Sequence, residues 1–198
     1  ARAGHPFVKK FTEARELTVM LLLDMSASSF FGTRGQMKAQ LAAKICSVLA
    51  LSAIKNNDKV GFIAFTDKIE KFIPPRKGLR HVLRIIREAL YFRPGSAGTD
   101  IALALEYLNR VTTRKTVAFI MSDFFAPQFK KMLAVANKRH DIVAVTITDP
   151  AELELADAGL VKLSDPETGN DLIIDSSDKK VRLQYRANAL NRVKQRDL

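Results

Sequence analysis

The sequence carries one cysteine, Cys46, and no tryptophan. A lone cysteine excludes an internal disulfide and a thiolate-based zinc site, and it suits a reducing compartment. No apolar run approaches the roughly 20 residues that a bilayer-spanning helix needs. The first residues, Ala1 to Pro6, lack the long apolar core of a secretory signal. The nine glycines form neither a Walker A loop nor Gly-x-Gly-x-x-Gly, so neither common phosphate cradle is present. There is no Gly-x-Ser-x-Gly elbow. His5, His81 and His140 are the only histidines, and His81 and His140 read as structural.

Carboxylates are also scarce, 21 against 32 lysines and arginines, for a formal net charge of +11. A basic surface attracts phosphates without sequence preference. Much of the excess is local, in Lys179, Lys180, Arg182, Arg186, Arg192, Lys194 and Arg196. No interleaved aromatics accompany it, as single-strand binding would favour. A solvated helix face is the simpler reading, with nucleic-acid binding kept as a minor alternative.

What is present is a chain of 198 residues, enough for one domain with a sizeable core. We expect a single unit over 1–198, its core at about 15–150. Residues 7–16 form a charged lead-in. Apolar runs at about 17–23, 60–65, 117–121 and 142–147 read as buried strands. Thr66-Asp67-Lys68 turns the second run into a short strand, Ile69 to Ile73, which Pro74-Pro75 stops. Between the runs lie helices at about 36–55, 78–91, 101–111 and 127–139. Their expected buried stripes are Met37, Leu41, Ile45, Val48 and Ser52; Leu79, Val82, Leu83, Ile86 and Leu90; Ile101, Leu105, Leu108 and Val111; and Phe129, Met132, Leu133 and Ala136. After 150, a hairpin (Gly159 to Leu163, Leu172 to Asp175) precedes a basic helix capped by Ser176-Ser177-Asp178, with the stripe Val181, Tyr185, Leu190 and Val193. Alternating strands and helices predict an α/β, three-layer, doubly wound, mostly parallel sheet with a short antiparallel edge strand.

The first run ends abruptly in Asp24-x-Ser26-x-Ser28, at the strand edge where open α/β sheets place ligands. Two more polar loops qualify: Gly98-Thr99-Asp100, before a helix, and Ser122-Asp123, after the Val117 strand. If the sheet reverses between these strands, Asp24, Ser26, Ser28, Thr99 and Asp123 converge, with Asp100 as an optional further donor. Carboxylates and hydroxyls are hard oxygen donors suited to Mg²⁺, with Mn²⁺ or Ca²⁺ as alternatives. One position would stay open for a partner protein's Asp or Glu. Phe30, Phe31, Phe124 and Phe125 flank these loops, as core residues or as an apolar contact rim.

This pattern resembles the von Willebrand factor A (vWA) domain and its metal-ion-dependent adhesion site. That site is Asp-x-Ser-x-Ser, a threonine from a separate loop and an aspartate after a later strand, here Asp24, Ser26, Ser28, Thr99 and Asp123. A narrower resemblance, to the bacterial "domain of unknown function 58" family, rests on Ile73-Pro-Pro-Arg-x-Gly-x-x-His81, Gly98-Thr-Asp100, Ser122-Asp-Phe124, His140-Asp141, Asp149-Pro-x-Glu152 and Asp165-x-Glu-Thr-Gly169. It implies a MoxR-type AAA+ ATPase as working partner. It also implies that the chain is the carboxyl-terminal part of a longer protein, cytoplasmic here and open to membrane anchoring through the missing part.

The expected function is a metal-dependent protein-binding module rather than an enzyme. The runner-up is a metal-dependent hydrolase or phosphatase in the same crevice. Asp24 resembles the nucleophile of haloacid-dehalogenase-type phosphatases, but those place a second aspartate two residues on, where Ser26 stands.

Overall fold

The computed structural model describes residues 16–32, 37–126, 128–164 and 170–197. Residues 7–15 of the lead-in, His5, loop residues 33–36 and the hairpin connector 165–169 lie outside the described residues.

The uncharged run from Val19 forms β1 (Thr18–Asp24), buried from Val19 to its last residue. A strand apolar on both faces demands a cover on each side. It lies at the centre of a five-stranded sheet with β2 (Lys59–Phe65), β3 (Ile69–Arg76), β4 (Val117–Ser122) and β5 (Asp141–Thr146), in the order β3-β2-β1-β4-β5. β1 runs parallel to β2 and β4, β4 runs parallel to β5, and β3 is the antiparallel edge. Successive β1 side chains alternate between two cores. Val19, Leu21 and Leu23 pack with α1 (Lys38–Lys55) and α2 (Leu79–Tyr91). Met20 and Leu22 pack with α3 (Ile101–Val111) and α4 (Lys130–Arg139). The three-layer, doubly wound arrangement and its antiparallel edge are those the sequence predicts.

The helix stripes differ. On α1, Met37, Leu41, Val48 and Ser52 of the expected stripe are exposed, and only Ile45 packs against the core. The buried row is Lys38, Ala42, Ala43, Cys46, Ala50 and Ala53. Small side chains let α1 approach the sheet closely, and this contact outweighs the hydrophobicity of the bulkier row. The same shift occurs on α2, where Val82, Ile85 and Ala89 are buried while Leu79, Leu83 and Leu90 are exposed. The α3 and α4 stripes hold, with Ile101, Leu105, Leu108, Phe129 and Ala136 buried. α4 begins at Lys130, three residues after the expected start.

β3 runs through Pro74-Pro75 to Arg76 instead of stopping at Ile73. An edge strand has one unpaired side, so it tolerates residues without an N–H. A register shift between Val60 and Phe62 accommodates them. Gly61 makes this possible, since a Cβ there would lie 2.4 Å from Met20 Sδ and 3.1 Å from the Pro75 nitrogen.

Beyond β5, β6 (Leu160–Ser164) and β7 (Asp171–Asp175) form the expected antiparallel hairpin. α5 (Lys179–Asp197) follows, with Asp178 Oδ1 accepting from the Lys180 N–H at 2.8 Å. Its buried contact is Ala189, whereas Leu190 of the expected stripe is exposed. The Tyr185 hydroxyl donates to the Ala151 carbonyl at 3.1 Å, tying α5 to the turn after β5.

Both described histidines are structural. His81 Nε2 lies 2.9 Å from the Val60 carbonyl. His140 is fully buried with Nε2 3.2 Å from Thr112 Oγ1, and its Nδ1 has no partner among the described residues. Burial, helped by Arg139, lowers the His140 pKa. Burial also pushes the Cys46 thiol up to about 12, so it is inert.

Two outcomes follow from this packing. Gly61→Ala is expected to cost about 1–3 kcal/mol through overpacking, read as a lower urea midpoint at unchanged slope. His140 is held neutral in the fold, so the unfolded chain takes up its proton first as pH drops. Stability should therefore fall as pH is lowered through about 6.5, the ordinary histidine value. His140→Gln should flatten that slope in urea titrations at a series of pH values.

Candidate functional site

The sheet reverses its winding between β1 and β4, so a crevice opens at their carboxyl ends. Asp24 and Ser122 are the last residues of these two strands. Ser122 Oγ donates to Asp24 Oδ2 at 2.6 Å, and the Ser26 N–H donates to Asp24 Oδ1 at 2.9 Å. The chain then enters a short 3-10 turn, Ala27–Phe30. Ser26 Oγ and Ser28 Oγ lie 3.1 Å apart, and Ser28 Oγ donates to Asp123 Oδ2 at 3.2 Å. One continuous hydrogen-bonded chain thus joins Asp24, Ser26, Ser28 and Asp123.

The glycine loop before α3 is fastened to this turn by the Ala27 N–H, which donates to the Ala97 carbonyl at 2.8 Å. It brings Thr99 into the same cleft wall as Ser28 and Asp123. Asp100 is engaged elsewhere: its Oδ1 accepts from the Leu103 N–H at 2.9 Å and caps α3.

Asp24 is 2% exposed and Asp123 7%. Burial raises the Asp24 pKa, and the hydrogen bonds from Ser122 and Ser26 only partly oppose it. These donors are neutral, so they compensate the buried charge only in part. Asp123 is compensated. Its Oδ1 accepts from the Phe125 N–H at 3.2 Å, and its Oδ2 accepts from Lys38 Nζ at 2.9 Å. Lys38, the first residue of α1, is 5% exposed and also lies 2.5 Å from Glu152 Oε1. Burial works against this ammonium, but the charges and hydrogen bonds of Asp123 and Glu152 outweigh it, and its pKa is raised.

Lys38 and Glu152 were not among the candidate donors read from the sequence, and Ser122 stood there only as part of the Ser122-Asp123 loop. A signal for Lys38 existed: a lysine heading the small row Ala42, Ala43, Cys46, Ala50 and Ala53 must be buried if that row is. The signal for Glu152 was its place in Asp149-Pro-x-Glu152. Here its Oε2 accepts from the Asp149 N–H at 3.1 Å, while Asp149 Oδ1 accepts from the Ala151 N–H at 2.8 Å.

The donor chemistry fits a hard divalent cation. Two carboxylates lie within one hydrogen-bonded chain with two hydroxyls, and Thr99 supplies a third hydroxyl from the same wall. Among the described residues, no group of three or more His, Cys, Asp or Glu is placed to hold a metal. A cation here would rest on Asp24 and Asp123, with serine and threonine hydroxyls and water completing the shell.

The aromatic residues divide. Phe124 is buried, with its ring centroid 5.8 Å from that of Phe129, so it belongs to the α3–α4 core rather than to an exposed rim. Its φ of 60° is unusual for a bulky residue, and such backbone costs roughly 1–3 kcal/mol and gathers at functional sites. Phe30, Phe31 and Phe125 are exposed. Together with Phe124 they line a cleft of about 1710 Å³ that is lined also by Lys162, Tyr185, Arg192 and Arg196. The Arg196 guanidinium sits 5.4 Å from the Phe125 ring centroid and donates to the Asp123 carbonyl at 3.4 Å. Among the described residues no helix is long and apolar enough to cross a membrane.

Comparison with known proteins agrees with this geometry at the level of fold. The chain is 17% identical to a solved aerotolerance-related membrane protein of Bacteroides fragilis that carries multiple mutations to serines, with a TM-score of 0.62 over 88% of each chain. It is 17% identical to the conserved hypothetical protein BatB of Bacteroides thetaiotaomicron, with a TM-score of 0.60 over 87% of this chain and 86% of that one. These likenesses show the fold alone, a mostly parallel five-stranded sheet between helices. In sequence, it is 32% identical over 172 residues to uncharacterized proteins of Mycobacterium tuberculosis and Mycobacterium bovis, covering 85% of this chain and 54% of each relative. The chain therefore spans about half the length of the curated relatives it matches. A family model described as "Protein of unknown function DUF58" matches residues 1–195, and the chain belongs to that family.

Proposed function

We propose that this chain is a non-enzymatic protein-binding module whose grip on its partner depends on a divalent cation, Mg²⁺ by preference over Mn²⁺ or Ca²⁺. The observation that carries the reading is Asp24. Among the described residues it is a buried carboxylate with neutral donors only, linked through Ser26 and Ser28 to a second buried carboxylate, Asp123. Asp24, Ser26, Ser28, Thr99 and Asp123 would hold the ion, and Asp100 contributes by capping α3. When bound, the ion supplies positive charge and an open position for an Asp or Glu of the partner. Hydroxyl donors keep that charge electrophilic because they add no negative charge of their own.

The surroundings suit an acidic partner. Lys130, Lys131 and Arg192 line the cleft, while the carboxylates of Glu152 and Asp171 are already paired with Lys38 and Lys162. Such walls favour an approaching acidic segment and raise its rate of encounter. Phe30, Phe31 and Phe125 supply exposed apolar area beside the site. The partner we infer from the family resemblance is a MoxR-type AAA+ ATPase, with this chain as adaptor in assembling or activating other complexes. On a chain as long as its relatives, we infer that the module works on the cytoplasmic side of any anchor the remainder supplies.

Calorimetric titration tests the reading. Mn²⁺ or Mg²⁺ should bind the wild-type chain, and Asp24→Asn or Asp123→Asn should weaken it at least about tenfold, or about 1.4 kcal/mol. Equal affinity in all three proteins would remove these residues from any metal role. Co-purification from the native host should recover an acidic partner with Mg²⁺ and lose it with a chelator. Recovery indifferent to the chelator would refute metal dependence.

A further inference from the structure

We propose that Lys38 is an internal counter-cation: its ammonium holds Asp123 when no metal is bound and yields that oxygen to an incoming divalent cation, keeping Glu152 as its resting partner. The inference rests on reading Asp24 and Asp123 as a cation site and adds a residue that controls it.

Three features point this way. First, Lys38 Nζ and Ser28 Oγ bond the same oxygen, Asp123 Oδ2, at 2.9 and 3.2 Å. That oxygen is in the hydrogen-bonded chain of donors, so a metal and the ammonium compete for it. Second, the ammonium has somewhere to go. Glu152 Oε1 is 2.5 Å away, and Glu152 is itself fixed by the Asp149 N–H on its other oxygen. Third, the charges balance with one divalent ion. Among the described residues, the Lys38 ammonium pairs with Asp123 and Glu152, and Asp24 adds a third carboxylate joined to Asp123 through Ser26 and Ser28, two negative charges in excess. A divalent cation therefore completes the cluster without expelling Lys38 from the protein. Without Lys38, Asp123 would be a second buried, unpaired carboxylate in the cation-free state, which is strongly destabilising. The arrangement keeps the empty site folded, and the cost is a lower affinity for the ion.

The site and the carboxyl-terminal segment are joined through the same contact. Glu152 lies on the 3-10 turn Pro150–Glu152, whose Ala151 carbonyl accepts from Tyr185 of α5. Lys38 thus bridges the metal-site loop and the turn on which α5 is docked.

The test is a double-mutant cycle on wild type, Lys38→Met, Glu152→Gln and the double variant, read by Mn²⁺ titration and thermal unfolding. Cation-free Lys38→Met should melt about 10 °C below wild type, from the loss of a buried pair, and Mn²⁺ should recover most of that shift. Mn²⁺ should bind Lys38→Met about tenfold tighter than wild type, and Glu152→Gln several-fold more weakly. The weakening from Glu152→Gln should vanish in the Lys38→Met background. Equal or weaker binding by Lys38→Met overturns the handover, as does the same Glu152→Gln loss in both backgrounds. Lys38→Gln, which can still donate to Asp123, serves if Lys38→Met does not fold, and it too must bind Mn²⁺ more tightly. No Mn²⁺ binding to any of these proteins overturns the cation-site reading itself. Wild-type binding indifferent to Lys38 sinks only the counter-cation role.

Discussion

The structure depends on one strand that brings a charge to a dry place. β1 is buried on both faces along nearly its whole length and ends in Asp24, which is as buried as the leucines before it. Ionised carboxylates resist such burial unless something compensates them. Here hydrogen bonds from Ser122 and the Ser26 amide compensate only in part, and the pKa stays raised. The surrounding parts can be understood as the means of holding that carboxylate in position. α1 and α2 cover one face of β1, α3 and α4 the other, and β4 contributes Ser122 beside it.

The same constraint explains why the polar residues cluster where they do. In a doubly wound sheet, only the strand ends at the switch point are free of helical cover. Asp24, Ser26, Ser28 and Asp123 meet there because β1 and β4 are neighbours in parallel register, with Leu23 opposite Met121. Neutral hydroxyls join the two carboxylates, so the cluster is built to gain from a positive charge. Lys38 supplies one such charge to Asp123 and shares it with Glu152. The module's proposed selectivity for acidic partners has the same root: positive charge held in a dry crevice attracts a carboxylate more strongly than it would in water.

Much of the fold was legible in the sequence. Apolar runs without charge became central strands, and Asp24-x-Ser26-x-Ser28 appeared as an abrupt change of polarity at a strand end. What proved illegible was which row of a helix faces the sheet. Periodicity favours the bulkier apolar row, yet α1 buries its alanines and leaves Val48 67% exposed. Close approach of helix and sheet is a volume condition, and hydrophobicity does not encode it. Pro74-Pro75 misled in a related way. Whether proline ends a strand depends on the strand lying inside the sheet or at its edge, and β3 lies at the edge. The role of Phe124 was equally hidden, because its backbone at φ 60° turns the ring inward against Phe129.

By itself, the sequence determined the α/β layering, the strand order's two-sided cover and the identities of the oxygen donors, because these follow from hydrophobic periodicity and from side-chain chemistry along the chain. Only the tertiary structure decided that Asp24 has neutral partners while Asp123 has a lysine, that Asp100 serves a helix terminus, and that Glu152 reaches the site from the turn after β5. Those are contacts between residues separated by as many as 114 positions, and they are settled by how the layers close on one another. The charge state of the site is therefore a property of packing. β1 ends in a buried carboxylate held by neutral donors, and the fold gives its neighbour, Asp123, a lysine.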